Sequence, residues 1–466
     1  MVFSSIPFLY YFLPVVLFLY FLAPRQLKNS VLLLSSLFFY AWGEPRYVFL
    51  MLLTVGLGYV FGLLIEKFHG KRISKLFLAL SVISSLSFLG YFKYADFFIQ
   101  NFNAATGLSV PLLKLTLPIG ISFYTFQILS YTVDVYRGTA KAQRNPINLA
   151  TYIALFPQLI AGPIVRYTDI ESQLTKRTHS FEKTAYGIRR FIIGLSKKVL
   201  LANTLGELGE FFMNSGEKSI FFCWLFVASY MLQIYFDFSG YSDMAIGLGK
   251  LFGFDFMENF NYPFISSSIT EFWRRWHISL GSWFRDYVYI PLGGNRVNRA
   301  RLFFNIFVVW FLTGFWHGAE WNFILWGLYF GILLTLEKFF LKDFLAKHKV
   351  FGHIYLLFFA AVSFAIFSGE NLSQSISNIG GMFGFGDIPI VSAEFFYCLR
   401  NYGIILIIAG VSATPLLRNI LTRFENNNKR STVINALEIP VLLILLIVST
   451  AYLADGSFNP FLYFRF

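Results

Sequence analysis

Charge is scarce in this chain: Asp, Glu, Lys and Arg together make up 14% of its 466 residues. A soluble protein of this length can bury a large core, but it does not read as continuous apolar blocks punctuated by basic loops, so no separate soluble domain is expected. Cysteine is almost absent. Cys223 and Cys398 are the only two, too few for a disulfide framework and wrongly spaced for a CxxC zinc site. Both fall near predicted outer helix ends, which leaves one bridge open beside the plainer expectation of two free membrane thiols. The first residues, Met1 to Tyr10, lack a positive n-region, so no cleavable signal is expected. No matching pair of broken helices divides the chain into the two halves a transporter would show.

What is present is hydrophobic: 56% of the residues, in runs that approach the roughly 20 a spanning helix needs. The pattern predicts an all-α, polytopic membrane protein forming a single membrane-embedded unit over residues 1–466, with about 10–12 spans. Candidate spans are Pro7–Ala23, Ser30–Trp42, Tyr47–Ile65, Leu76–Phe92, Leu112–Val133, Gly187–Ala202, Ile220–Leu248, Tyr355–Phe367, Tyr402–Leu416 and Val433–Leu453, with a hairpin over 302–336. The net charge of +13 would suit nucleic acid, but the cations cluster in alternate loops. That bias orients a membrane protein, cationic side inward. Lys67, Lys71 and Arg72 fall inside, whereas the loop bearing Glu207, Glu210 and Glu217 falls outside. Both termini are then expected outside.

Some stretches are too short or too mixed to span. Tyr152–Val165 is interrupted by Pro157, Gly162 and Pro163, and Pro263–Leu292 alternates aromatic with basic residues. Segments 134–200 and 263–301 are accordingly expected to hold cytosolic, interfacial or re-entrant elements. Inside the hairpin lies His317, an ionisable group in an apolar run, which in a membrane is a functional hypothesis by default. The 35 residues from Leu302 to Leu336 are too few for two full crossings, so the turn is expected at Gly318–Glu320, short of the outer face. His317 stands 16 residues past Arg301, roughly 24 Å along a helix at ~1.5 Å per residue, past the midplane. Arg301, Glu337 and Lys338 are expected at the cytosolic surface.

The runs Phe272-Trp273-Arg274-Arg275-Trp276-His277, Trp283-Phe284-Arg285-Asp286-Tyr287, Ile290-Pro291-Leu292-Gly293-Gly294-Asn295-Arg296 and Gly314-Phe315-Trp316-His317-Gly318 resemble the membrane-bound O-acyltransferase family. So do Tyr235-Phe236-Asp237-Phe238-Ser239-Gly240-Tyr241 and Phe39-Tyr40-Ala41-Trp42-Gly43. The resemblance covers essentially the whole chain and is nearest the bacterial branch that O-acetylates alginate and peptidoglycan. At Phe367-Ser368-Gly369-Glu370 the arginine usual after the phenylalanine is missing. The resemblance implies helices around a central tunnel, and transfer of acetyl from acetyl-CoA to a hydroxyl without a metal. It maps the family's invariant histidine to His317 and its second polar position to His277.

The chemistry is consistent with that mapping. A thioester is attacked by a hydroxyl whose proton needs a base, and burial keeps an imidazole neutral and ready to accept it. His277 is assigned the acyl carbonyl or the oxyanion, or a purely structural place at the interface. Arg274, Arg275, Arg285, Arg296, Arg299 and Arg301, beside Gly293-Gly294, suit the phosphates of CoA, and equally satisfy the positive-inside bias with no ligand. Asp237 and Asp243 are expected to pair within the bundle.

The last residues, 455–466, end in Phe461-Leu462-Tyr463-Phe464-Arg465-Phe466. That tail is similar to the acyl-carrying tail of the small peptide in teichoic-acid D-alanylation. It implies Tyr463 as a covalent acetyl relay, against an aromatic belt anchoring the last helix. The expected setting is the bacterial cytoplasmic membrane. The expected partners are membrane lipid, an exopolysaccharide or peptidoglycan acceptor and an extracellular SGNH-type transferase, not nucleic acid. Two other readings stay open: D-alanyl export from a carrier-protein thioester, and a proton-coupled transporter or flippase built on Asp237, Asp243 and His317.

Overall fold

A computed structural model describes residues 1–160, 162–425 and 428–456. Among these residues every regular element is helical. Eight helices are long and apolar enough to cross a membrane: Tyr47–Lys67, Arg72–Thr106, Ile220–Leu251, Arg299–His317, Trp321–Lys347, Lys349–Ser368, Ala393–Ser412 and Ala436–Ala454. The helix is forced on such segments, because hydrocarbon offers no partner for an unpaired N–H or C=O.

The other apolar segments fold as helices that are shorter or more polar. Pro7–Leu22 is apolar but short. Lys28–Ala41 has 14 residues. Ile121–Arg137 has 17, and nearly all of them are buried, Gln127, Thr132 and Asp134 included. A helix lined by protein need not match the thickness of the bilayer. It begins only at Ile121 because Gly120, at φ +75°, turns the chain there; a Cβ at that position would stand 2.8 Å from the Leu159 carbonyl oxygen. The span expected to start at Tyr402 starts at Ala393, where the Ser392 hydroxyl accepts from Phe395 N at 3.3 Å. Glu394, Arg400 and Asn401 hide its first nine residues in the hydropathy pattern. Tyr152–Val165 does not span: it is broken into Pro146–Ala154 and Phe156–Leu159, which are buried.

The chain forms two compact units. The first comprises Met1–Phe191 and Ser242–Met257. Its core is a nest of phenylalanines, with Phe12 and Phe156 at 5.3 Å and Phe8 and Phe39 at 5.9 Å between ring centres. In it Arg190 pairs with Asp243 at 2.7 Å. The second comprises Ile192–Tyr241 and the chain from Glu258 onward. There Lys198 pairs with Asp237 at 2.6 Å, both side chains 3% exposed. The two acids in the Ile220–Leu251 helix thus find cationic partners, as expected. Cys223 and Cys398 are buried and free.

The hairpin lies in the second unit. Its first helix ends at His317 and its second begins at Trp321, so the turn falls where the residue count placed it. The two helices touch backbone to backbone through Gly314 and Gly327. A Cβ on Gly314 would lie 2.3 Å from the Phe323 carbonyl oxygen, and one on Gly327 2.3 Å from that of Trp310. Backbone cannot yield as a side chain can. Gly314→Ala is therefore expected to destabilise the protein by at least about 1–3 kcal/mol and to lower acyl transfer with it, checked by thermal unfolding in detergent.

Candidate active site

The site begins with a short helix, Ile269–Arg275. The Ser268 hydroxyl caps it, accepting from Glu271 N at 3.0 Å. Glu337, at the end of the second hairpin helix, accepts from Thr270 N at 2.8 Å, Thr270 Oγ1 at 2.6 Å and Ile269 N. A carboxylate at a helix N-terminus satisfies amides that have no partner within the helix. Glu337 is thus 3% exposed, its carboxylate taken up by these donors. It ties the hairpin to the helix that leads into His277.

His277 follows that helix at φ +46° and caps the next one, Ile278–Phe284. A left-handed backbone at a histidine is uncommon and is held by its surroundings. Here the hold is Asn259. Its carbonyl oxygen accepts from Ile278 N at 3.0 Å, and its side-chain Oδ1 accepts from Ser279 N at 3.1 Å and Ser279 Oγ at 2.9 Å. The His277 ring is 1% exposed, its Nδ1 3.3 Å from Asn259 Oδ1.

His317 is the last residue of its helix and 7% exposed. Its ring centre lies 5.0 Å from Trp316, 5.0 Å from Trp326 and 5.5 Å from Phe367. The next residue has to be glycine, since a Cβ on Gly318 would penetrate the Phe323 ring at 2.2 Å. The two glycines of the Gly-Phe-Trp-His-Gly run therefore serve one purpose: they bring the second hairpin helix close enough to wall the imidazole with aromatic rings.

Two cavities adjoin His277. The inner one, about 30 Å³, is lined by His277, His317, Asp237, Trp276 and Phe367 among others, and is mostly apolar. The outer one, about 930 Å³, is lined by Arg274, Arg285, Lys338, Lys342, Glu271 and Glu337 among others. That volume is at the upper end of the roughly 300–1,000 Å³ of ligand pockets. His277 and Trp273 line both, whereas His317 lines only the inner one. An acyl donor filling the cationic cavity would meet His277 first, with His317 behind it.

Of the six arginines expected to hold phosphate, the structure brings Arg274 and Arg285 to the outer cavity. Arg285 is also held by its neighbour Asp286, at 2.6 Å. Arg275 turns to Glu271 at 2.9 Å. Arg296, Arg299 and Arg301 are exposed and outside the cavity lining; Arg301 lies over the Phe304 ring at 5.1 Å. Lys338 and Lys342 take their place, and their spacing of four residues past the hairpin, which sets both on one helical face, was the available signal. Asn259 carried none, because only the fold brings it to His277. Tyr463 lies outside the described residues.

The family profile of the membrane-bound O-acyltransferases matches residues 21–377, which include both histidines. The chain is 40% identical to a "probable alginate O-acetylase" of Azotobacter vinelandii, over the whole of both proteins. It is 31% identical to a peptidoglycan O-acetyltransferase of Helicobacter pylori, over 100% of this chain and 98% of that one. Over 54% of its length, and 69% of the other's, it is 31% identical to a teichoic acid D-alanyltransferase of Bacillus subtilis. A match over most of the chain, together with eight membrane-length apolar helices among the described residues, makes this a multi-pass membrane acyltransferase belonging to the membrane-bound O-acyltransferase family.

Proposed function

We propose that the chain takes acetyl from acetyl-CoA at the cytosolic face of a bacterial inner membrane and passes it outward for O-acetylation of a cell-surface polysaccharide. The observation that supports this reading is that a large cationic cavity and a small aromatic one share His277 in their walls, with His317 lining the small one. In this reading the CoA phosphates lie by Arg274, Arg285, Lys338 and Lys342, and the pantetheine arm runs past Trp273. The thioester carbonyl sits between the imidazoles.

His317 takes the hydroxyl proton as the oxygen attacks the carbonyl carbon. The tetrahedral intermediate collapses, the C–S bond breaks, and the imidazolium returns its proton to the departing thiolate. Proton and electron pairs balance without a metal. Full-length identity to two acetylating relatives supports acetyl as the cargo. The shorter match to a D-alanyltransferase supports the alternative of D-alanyl from a carrier-protein thioester. Acetyl-CoA turnover by the purified protein separates the two, and also separates both from a transporter.

Arg274→Ala is expected to raise KM for acetyl-CoA about 10-fold or more, with kcat little changed, since a charge-assisted hydrogen bond to phosphate is worth about 1.5–3 kcal/mol. An unchanged KM would remove Arg274 from the donor site. In the same reading both termini are outside, an SGNH-type surface transferase completes delivery, and Tyr463 is the first acceptor. The Tyr463 hydroxyl would be esterified as CoA thiol leaves, and the acetyl group then moves on. Mass spectrometry of the C-terminal peptide after incubation with acetyl-CoA should show one acetyl on Tyr463. Full polysaccharide acetylation by Tyr463→Phe would contradict the relay.

A further inference from the structure

We infer that Asn259 is a positioning residue that fixes the tautomer of His277, with the proton on Nδ1, so that Nε2 faces the substrate as a hydrogen-bond acceptor. This rests on the reading of the paired cavities as the acyl-transfer site and deepens it: His277 then holds an O–H or N–H of a substrate and does not donate to the oxyanion.

A backbone amide can only donate. Ser279 N points at one terminal atom of the Asn259 side chain at 3.1 Å, so that atom is the amide oxygen, Oδ1, and not the nitrogen. The Ser279 hydroxyl, 2.9 Å away, directs its hydrogen to the same oxygen. His277 Nδ1 stands 3.3 Å from that oxygen. Two acceptors facing each other would repel, so Nδ1 carries the hydrogen. Ser279 Oγ also approaches Nδ1, at 3.4 Å, a longer approach than its bond to Asn259. Which nitrogen of an imidazole is protonated follows from the bond the other nitrogen makes.

Nε2 of His277 is buried and meets no hydrogen-bond partner among the described residues. Its ring packs edge-on against Phe238 at 4.6 Å, and it lines both cavities. An unsatisfied buried acceptor is costly, and at the junction of two cavities it is a place kept for a ligand's donor. The left-handed backbone at His277, held by Asn259 through the two residues that follow it, keeps that lone pair aimed.

The test is nitrogen NMR of the full chain in lipid, labelled at histidine, with the His277 signal assigned by its loss in His277→Gln. The expected spectrum has the proton on Nδ1 and a bare Nε2. Ser279→Ala should leave that pattern unchanged, whereas Asn259→Leu should abolish the preference and lower kcat/KM about 100-fold, the scale on which loss of an outer partner or of the right tautomer acts. A proton on Nε2 in the unaltered protein overturns the inference, and so does an unchanged pattern in Asn259→Leu. Because the spectrum is read without any acyl donor, its failure is distinct from a failure to turn over acetyl-CoA.

Discussion

Replacing His317 by alanine should lower the rate of acetyl transfer by about 10²–10⁴-fold while leaving the protein folded. The magnitude is that of removing a general base positioned on the attacking hydroxyl. The fold should survive because the imidazole ends its helix, and its neighbours are rings that can close in: Trp316, Trp326 and Phe367. Release of CoA thiol by protein in proteoliposomes gives the rate, and thermal unfolding gives the control. A variant that keeps full turnover would remove His317 from the chemistry. If activity and folding were lost together, the residue would be structural.

The second large effect concerns stability. Lys198 and Asp237 form an ion pair at 2.6 Å with both side chains almost wholly buried, and Asp237 also lines the inner cavity. Lys198→Met takes the cation away from a buried carboxylate, and breaking a buried pair on one side typically costs about 3–5 kcal/mol. The Lys198→Met, Asp237→Leu double variant removes the carboxylate as well and should recover most of that loss. Thermal unfolding of the two variants in one detergent makes the comparison. A single variant as stable as the parent would mean that Asp237 is neutralised by other means, and that the pair does not hold this wall of the cavity.

The hairpin was legible in the sequence because its length, its charged ends and its glycines are local facts. The charged residues that bound Leu302–Leu336 and the Gly318–Glu320 break between its two apolar stretches place the turn, and the two helices end and begin there. His317 stood out for the same reason, a titratable ring in a run with little else polar. The donor-site arginines were less legible, because a cationic loop looks the same whether it faces a ligand, an acid or water. Arg275 is taken up by Glu271, and Arg301 by the Phe304 ring, and neither pairing follows from composition. Asn259 lies 18 residues before His277 and reaches it only through the fold. Glu337 is a similar case: nothing in the sequence at the end of a span shows that its carboxylate caps another helix, as here.

The most direct test of the central claim is an electron cryomicroscopy map of the protein with S-acetonyl-CoA, a thioether whose ketone mimics the thioester but cannot be cleaved. The account predicts its phosphates beside Arg274, Lys338 and Lys342, its arm along Trp273, and its carbonyl carbon between His277 and His317. A map with the analogue bound elsewhere, or with the His317 ring sealed off from both the carbonyl and any outward path, would contradict it.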